Sequence, residues 1–248
     1  MSAFGLAVRF LTILPWPVTP GEPKAEDFGR AAARFPFVGL MLGALLVILD
    51  AGLGFFFPLP VRSVGVVAAL ALLSGCLHLG GLAGWADGLG GGESLESGPR
   101  IMQGSSCGPL GGAAIGLVLL AKYAALVSLA GPGRWQALLV APMLARAGMA
   151  LFLCVLPSAR PEEGAVSPFA REVNPAEGFG VAGWTLLLCL VLGGMGGLLA
   201  ALGCGAAFAG LKRFFLAKLG GSTGGAYGAG GEMLEVLALA LCAAWWGS

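Results

Sequence analysis

The stretch "VAGWTLLLCLVLGGMGGLLAALGCGAAFAGL", residues 181–211, decides the fold. It is apolar almost throughout, and too long for one upright helix, because roughly 20 residues already cross the hydrocarbon core of a bilayer. It is also short for two crossings. The run "LGGMGG" at 192–197 sits in its middle, which suggests a tight re-entrant bend or two short helices.

The rest of the chain supplies the context. Its 248 residues are 57% hydrophobic and 11% charged, with a mean hydropathy of +0.89. Ordinary soluble domains carry about 25% charged residues, so this chain lacks the polar surface that a water-soluble fold of its size needs. Apolar runs at 35–57, 61–79, 108–130, 135–156 and 232–246 recur on either side of the opening stretch. The composition predicts an all-α, polytopic helical bundle of about six to seven transmembrane segments, one membrane-embedded domain over 1–248.

Charge placement then chooses between the readings of 181–211. With two passes, one side of the membrane receives Arg9, Lys24, Arg30, Arg34, Arg100, Arg160, Arg171, Lys212, Arg213 and Lys218. The other side receives only Arg62 and Arg134. A single pass would even out the split and erase the signal. The positive-inside bias favours two passes, with the long connections 81–107, 157–180 and 212–231 in the cytoplasm. The expected location is a bacterial or archaeal cytoplasmic membrane.

Several function classes lose ground here. A net charge of +1 carries no message about nucleic acid, and no basic cluster stands out that would bind it, so no nucleic-acid partner is expected. The six cysteines have no metal-ligand spacing, and the four inside apolar runs read as small buried hydrophobes. The apolar N-terminus lacks a basic n-region and is not read as a signal peptide. A transporter would spread polar groups near the midplane on broken helices, whereas here they collect at one face. Lys122 and Arg146 lie nearer apolar segments. Snorkelling to the interface is the plain reading for both; for Arg146 a functional role weighs equally, because an intramembrane charge is costly.

The segment "HLGGLAGWADGLGGG" at 78–92 holds the only histidine and one of three aspartates. Together with "RFLTILPWP" (9–17), "RAAARFPFVGLMLG" (30–43), "RIMQGSSCGPLG" (100–111), "LLAKYAAL" (119–126) and "LGGSTGGAYGAGGEMLEV" (219–236), it resembles the cobalamin synthase, or adenosylcobinamide-GDP ribazoletransferase, family. Order and spacing agree over nearly the whole chain. The resemblance implies a transferase that joins adenosylcobinamide-GDP to α-ribazole or its 5′-phosphate, with Mg²⁺ and with release of GMP. The bilayer is its environment, and a second copy or other cobalamin-assembly proteins are open as partners.

The family's motifs carry aspartates where this chain has Gly80, Gly84, Gly104 and Gly225, and an arginine where it has Ser106. Positions 80, 84 and 87 share one face of a helix, and only Asp87 of that triplet remains acidic. The resemblance assigns catalysis to His78, Asp87 and Glu232, and magnesium to Asp87 and Glu232. It assigns substrate contact to Arg30, Ser105, Arg146, Arg160, Gly221, Thr223 and Gly224. An alternative follows from the missing aspartates: a catalytically impaired member that only binds corrinoid or a partner protein.

Overall fold

The computed structural model describes residues 2–17, 23–90, 107–157, 166–221 and 223–247. The described residues form ten helices and no strand. In chain order they are α1 (Ala3–Leu11), α2 (Ala25–Ala32), α3 (Phe35–Leu53), α4 (Leu59–Leu73), α5 (Leu77–Gly90) and α6 (Pro109–Val127), followed by α7 (Gly133–Val155), α8 (Ser167–Glu172), α9 (Pro175–Leu219) and α10 (Gly224–Trp246). Helices α3, α6, α7, α9 and α10 are each long and apolar enough to cross a membrane. The pair α4 and α5 passes the same test jointly but is bent by 85°.

The 181–211 stretch lies within α9, which is broken at Gly194. There φ is 54° and ψ −141°, a backbone region open in practice only to glycine. The break is a reversal. A Cβ on Gly197 would fall on the carbonyl oxygen of Cys189, although a straight helix would separate residues eight apart by about 12 Å. The first arm starts beside the C-terminal end of α7, where Gly178 faces Cys154. The bend lies at the opposite end, where Gly193 and Gly196 face Trp245 and Trp246. The second arm returns to place Phe208 and Phe215 on Phe152 of α7, with ring centroids 4.5 and 5.5 Å apart. The two-pass reading is the observed one.

Helix α7 is the axis of the bundle. Of its most apolar window 78% is buried, against 22% for α6, so α7 faces protein while the described residues leave most of the α6 surface uncovered. On α3, Gly39 and Gly43 touch α7 through backbone, at the Pro142 and Leu138 carbonyls. Small residues one turn apart allow this approach, and close packing is what holds helices together in lipid. α10 runs antiparallel to α7: Gly133 meets Trp246 at one end and Gly230 meets Phe152 at the other.

The charge asymmetry takes physical form in this arrangement. At the Gly194 end, Arg134 donates to both carboxylate oxygens of Asp50, at 2.9 and 2.6 Å, and Arg62 lies 3.8 Å from the same residue. Both arginines of that end thus share one buried aspartate, which offsets one of their two charges.

Three expected boundaries need correction. The 61–79 run is not one straight span. It stops at Leu73 and turns through Gly75 and Cys76, with φ of 61° and 54°, before α5 begins. The connection expected from residue 81 is helical as far as Gly90. The glycine-rich part of 212–231 is also largely helix, because α9 continues to Leu219 and α10 begins at Gly224.

Candidate functional site

Two glycine-rich helices build the site. α5 enters after the sharp bend at 74–76 and lies against the first turns of α10. Their contact is backbone on backbone. A Cβ on Gly81 would sit 3.1 Å from the Gly225 carbonyl oxygen, and one on Gly228 would sit 3.0 Å from that of His78. Such distances are tighter than most real Cβ contacts, and the neighbours here are backbone, so glycine at both positions eases the approach. α10 is started by Thr223, whose hydroxyl oxygen accepts from the Ala226 N–H at 3.2 Å.

Between these helices lies a cavity of about 370 Å³. His78, Gly80 and Gly81 line it from α5, and Gly224, Gly225, Tyr227 and Gly228 line it from α10. Phe10, Phe35, Met149, Leu153 and Val166 supply apolar walls. His78 is only 3% exposed, and among the described residues its Nε2 has no hydrogen-bond partner. A buried, unsatisfied polar atom is costly, and this one belongs to a residue on the cavity wall.

Behind the cavity lies a buried ion network. Lys122 of α6 donates to Glu232 at 2.6 Å and to Glu235 at 2.5 Å, and Arg146 of α7 pairs with the other oxygen of Glu235. All four residues are 5% exposed or less. Two cations and two anions leave the cluster neutral, the condition on which charges are tolerated inside a bilayer. Lys122 and Arg146 therefore do not snorkel. His78 lies within electrostatic reach of Arg146, Glu235 and Lys122.

The other expected site residues are dispersed. Asp87 accepts the N–H groups of Gly108 and Gly111, each at 2.7 Å, and so caps the N-terminus of α6. Arg30 is exposed and pairs with Glu26 at 3.3 Å, on a separate groove that also includes Arg34, Glu177 and Trp184. Thr223 and Gly224 start α10, and Gly221 is buried just before it. Ser105, Arg160, Gly104 and Ser106 lie outside the described residues. Glu235, Gly81 and Tyr227 are additions from the structure. The only sequence signal for Glu235 is its i, i+3 spacing from Glu232 within an apolar run.

Magnesium has no ready cage among these groups. Both oxygens of Asp87 hold helix N–H groups, and Glu232 is spent on Lys122. No three His, Cys, Asp or Glu residues converge among the described residues. Mg²⁺ demands near-octahedral oxygen ligation, and these side chains do not supply it as placed.

Comparison with known proteins gives the family of the chain. Residues 3–243 match the family described as cobalamin-5-phosphate synthase. An adenosylcobinamide-GDP ribazoletransferase of Pseudomonas fluorescens is 40% identical over 241 residues, covering 96% of this chain and 98% of its own. One of Pseudomonas putida is 41% identical over 250 residues, covering 97% and 99%. One of Pseudomonas paraeruginosa is 39% identical over 241 residues, covering 95% and 96%. No solved structure matches. With a family match over nearly its whole length and relatives near 40% identity, the chain belongs to the cobalamin-5-phosphate synthase family.

Proposed function

We propose that this protein carries out the last joining step of cobalamin assembly, linking adenosylcobinamide-GDP to α-ribazole or its 5′-phosphate with release of GMP. One observation carries the reading. The segments around His78 and around Gly224 are far apart in sequence, yet they fold against each other around a single cavity. In the reaction a hydroxyl oxygen of the acceptor sugar forms a new bond to the corrinoid-side phosphorus. The bond from that phosphorus to the bridging oxygen breaks, GMP keeps that oxygen, and the hydroxyl proton leaves to a base. Phosphoryl transfer of this kind depends mainly on positioning and charge stabilisation.

The chain's own contributions are limited and specific. The first N–H groups of α10, at Gly224 and Gly225, favour anionic groups. His78 Nε2 can bond a substrate hydroxyl or phosphate oxygen. The hydrophobic crossings hold the cavity at the arginine- and lysine-rich end of the bundle, which the positive-inside bias turns toward the cytoplasm. That orientation, in a bacterial or archaeal cytoplasmic membrane, lets soluble substrates reach it. A magnesium requirement belongs to this reading through the substrate's diphosphate, and no step is routed through an ion held by the protein.

A second reading is favoured by one observation. Gly80 lines the cavity, and among the described residues no atom beyond its own helix lies within 4 Å of where its Cβ would be. The space for a carboxylate is present without the carboxylate, as expected of a member that binds its substrates and transfers little. The two readings separate in one comparison. The protein and a Gly80→Asp, Gly84→Asp, Gly104→Asp, Gly225→Asp version receive adenosylcobinamide-GDP, α-ribazole and Mg²⁺, and GMP release is followed. Turnover by the unaltered chain supports the first reading. Turnover only after restoration supports the second, and turnover by neither refutes the transfer.

A further inference from the structure

The shape and lining of the α5–α10 cavity discriminate between the two substrates. We infer that the cavity takes the flat heteroaromatic base of the nucleoside acceptor, and that the corrinoid donor is held outside it. The inference rests on the proposed transfer. A volume of about 370 Å³ falls at the low end of small-molecule sites. A two-ring base with its ribose fits that space, whereas a corrin macrocycle with a nucleoside diphosphate is several times too large.

The lining has the corresponding chemistry. Phe10, Phe35 and Tyr227 offer aromatic surface, and Met149, Leu153 and Val166 offer aliphatic surface. Aromatic rings stack and pack edge-on against such walls. Against this mostly apolar surface the polar side-chain groups on the wall among the described residues are the Tyr227 hydroxyl and the His78 imidazole, the latter 3% exposed with Nε2 unpartnered among the described residues. A small number of polar atoms in an apolar slot fixes the orientation of a ligand that is itself mostly apolar. At the same rim, Gly224 and Gly225 begin α10, placing N–H groups where the sugar or 5′-phosphate of the acceptor would lie. A base packed deep and a sugar at the rim would leave the sugar hydroxyls facing outward, toward a donor held outside the cavity.

The test uses the full chain in detergent and equilibrium dialysis against α-ribazole and, separately, adenosylcobinamide-GDP. Gly80→Phe fills the mouth of the cavity, where open space surrounds the Cβ position. The expected result is riboside affinity weakened roughly tenfold or more, with donor affinity changed less than about twofold. Unaltered riboside binding, or an equal loss for the donor, overturns the inference and leaves the proposed function standing. So does wild-type protein that binds the donor but not the riboside. Wild-type protein that binds neither refutes both. A series on the wild type needs no variant to fold: α-ribosides of imidazole and of benzimidazole should differ by roughly tenfold in favour of the larger ring, from the extra apolar area buried. Equal affinity across the series overturns the inference.

Discussion

The buried network of Lys122, Arg146, Glu232 and Glu235 makes the most quantitative prediction. Glu235→Gln keeps size and hydrogen-bonding shape but removes one negative charge, changing the cluster from neutral to a net charge of +1. Glu235 is 1% exposed and contacts both cations, so no water replaces the lost charge. Breaking a buried pair from one side typically costs about 3–5 kcal/mol. For a chain of this size each kcal/mol lowers the melting temperature by about 2–4 °C, a total of about 6–20 °C. The measurement is the thermal midpoint of purified protein in a mild detergent, followed by tryptophan fluorescence or loss of the monodisperse peak. Lys122→Met with Glu235→Gln restores neutrality, because Arg146 and Glu232 still balance. The double variant should recover at least half of the loss. A single variant melting within about 2 °C of wild type, or a double variant worse than the sum of its parts, would show that the cluster is not a charge-balanced unit.

Two further predictions concern the backbone. Gly194→Ala places a side chain at φ 54°, ψ −141° with no atom within 4 Å of its Cβ. Conformational strain alone should therefore lower stability, by about 1–3 kcal/mol, readable in the same melt. Asp87→Ala removes both acceptors at the start of α6 and should cost about 0.5–2 kcal/mol. If capping is the whole role of Asp87, added Mg²⁺ shifts the melting of wild type and variant equally. A magnesium shift confined to the wild type would make Asp87 a ligand instead.

The fold was legible because hydropathy and charge placement are global quantities. The ten-against-two skew depended on two passes through 181–211, and the reversal at Gly194 supplies them. Boundaries near the site were less legible for a physical reason. Glycine weakens helices intrinsically, so 220–231 reads as loop from sequence. In the fold the same glycines let α5 and α10 touch through backbone, and packing overrides propensity. The ion network was half legible: Lys122 and Arg146 stood out as charges in apolar runs. Their partner Glu235 did not, because pairing across residues 122, 146 and 235 is a tertiary fact. Asp87 was conspicuous for its acidity, yet nothing local reveals that its oxygens meet the Gly108 and Gly111 N–H groups.

The neighbouring glycines 80 and 81 then separate packing from chemistry. Gly81 has a structural reason to be glycine, since any side chain there meets the α10 backbone within 3.1–3.4 Å. Gly80 has none: it is exposed, it lies inside a helix where glycine is less favourable than alanine by about 0.5–1 kcal/mol, and its Cβ position is open. Packing cannot explain why position 80 lacks a side chain, nor would packing resist one. A carboxylate restored there would stand at the rim of the cavity without disturbing the Gly81–Gly225 contact that builds it. Gain of GMP release in a Gly80→Asp variant would therefore reflect chemistry supplied to an intact pocket rather than repair of a damaged fold. The cavity, the imidazole of His78 and the start of α10 stand together in the fold, with Nε2 unpartnered among the described residues, while the aspartates that the family resemblance expects at 80, 84, 104 and 225 are glycines.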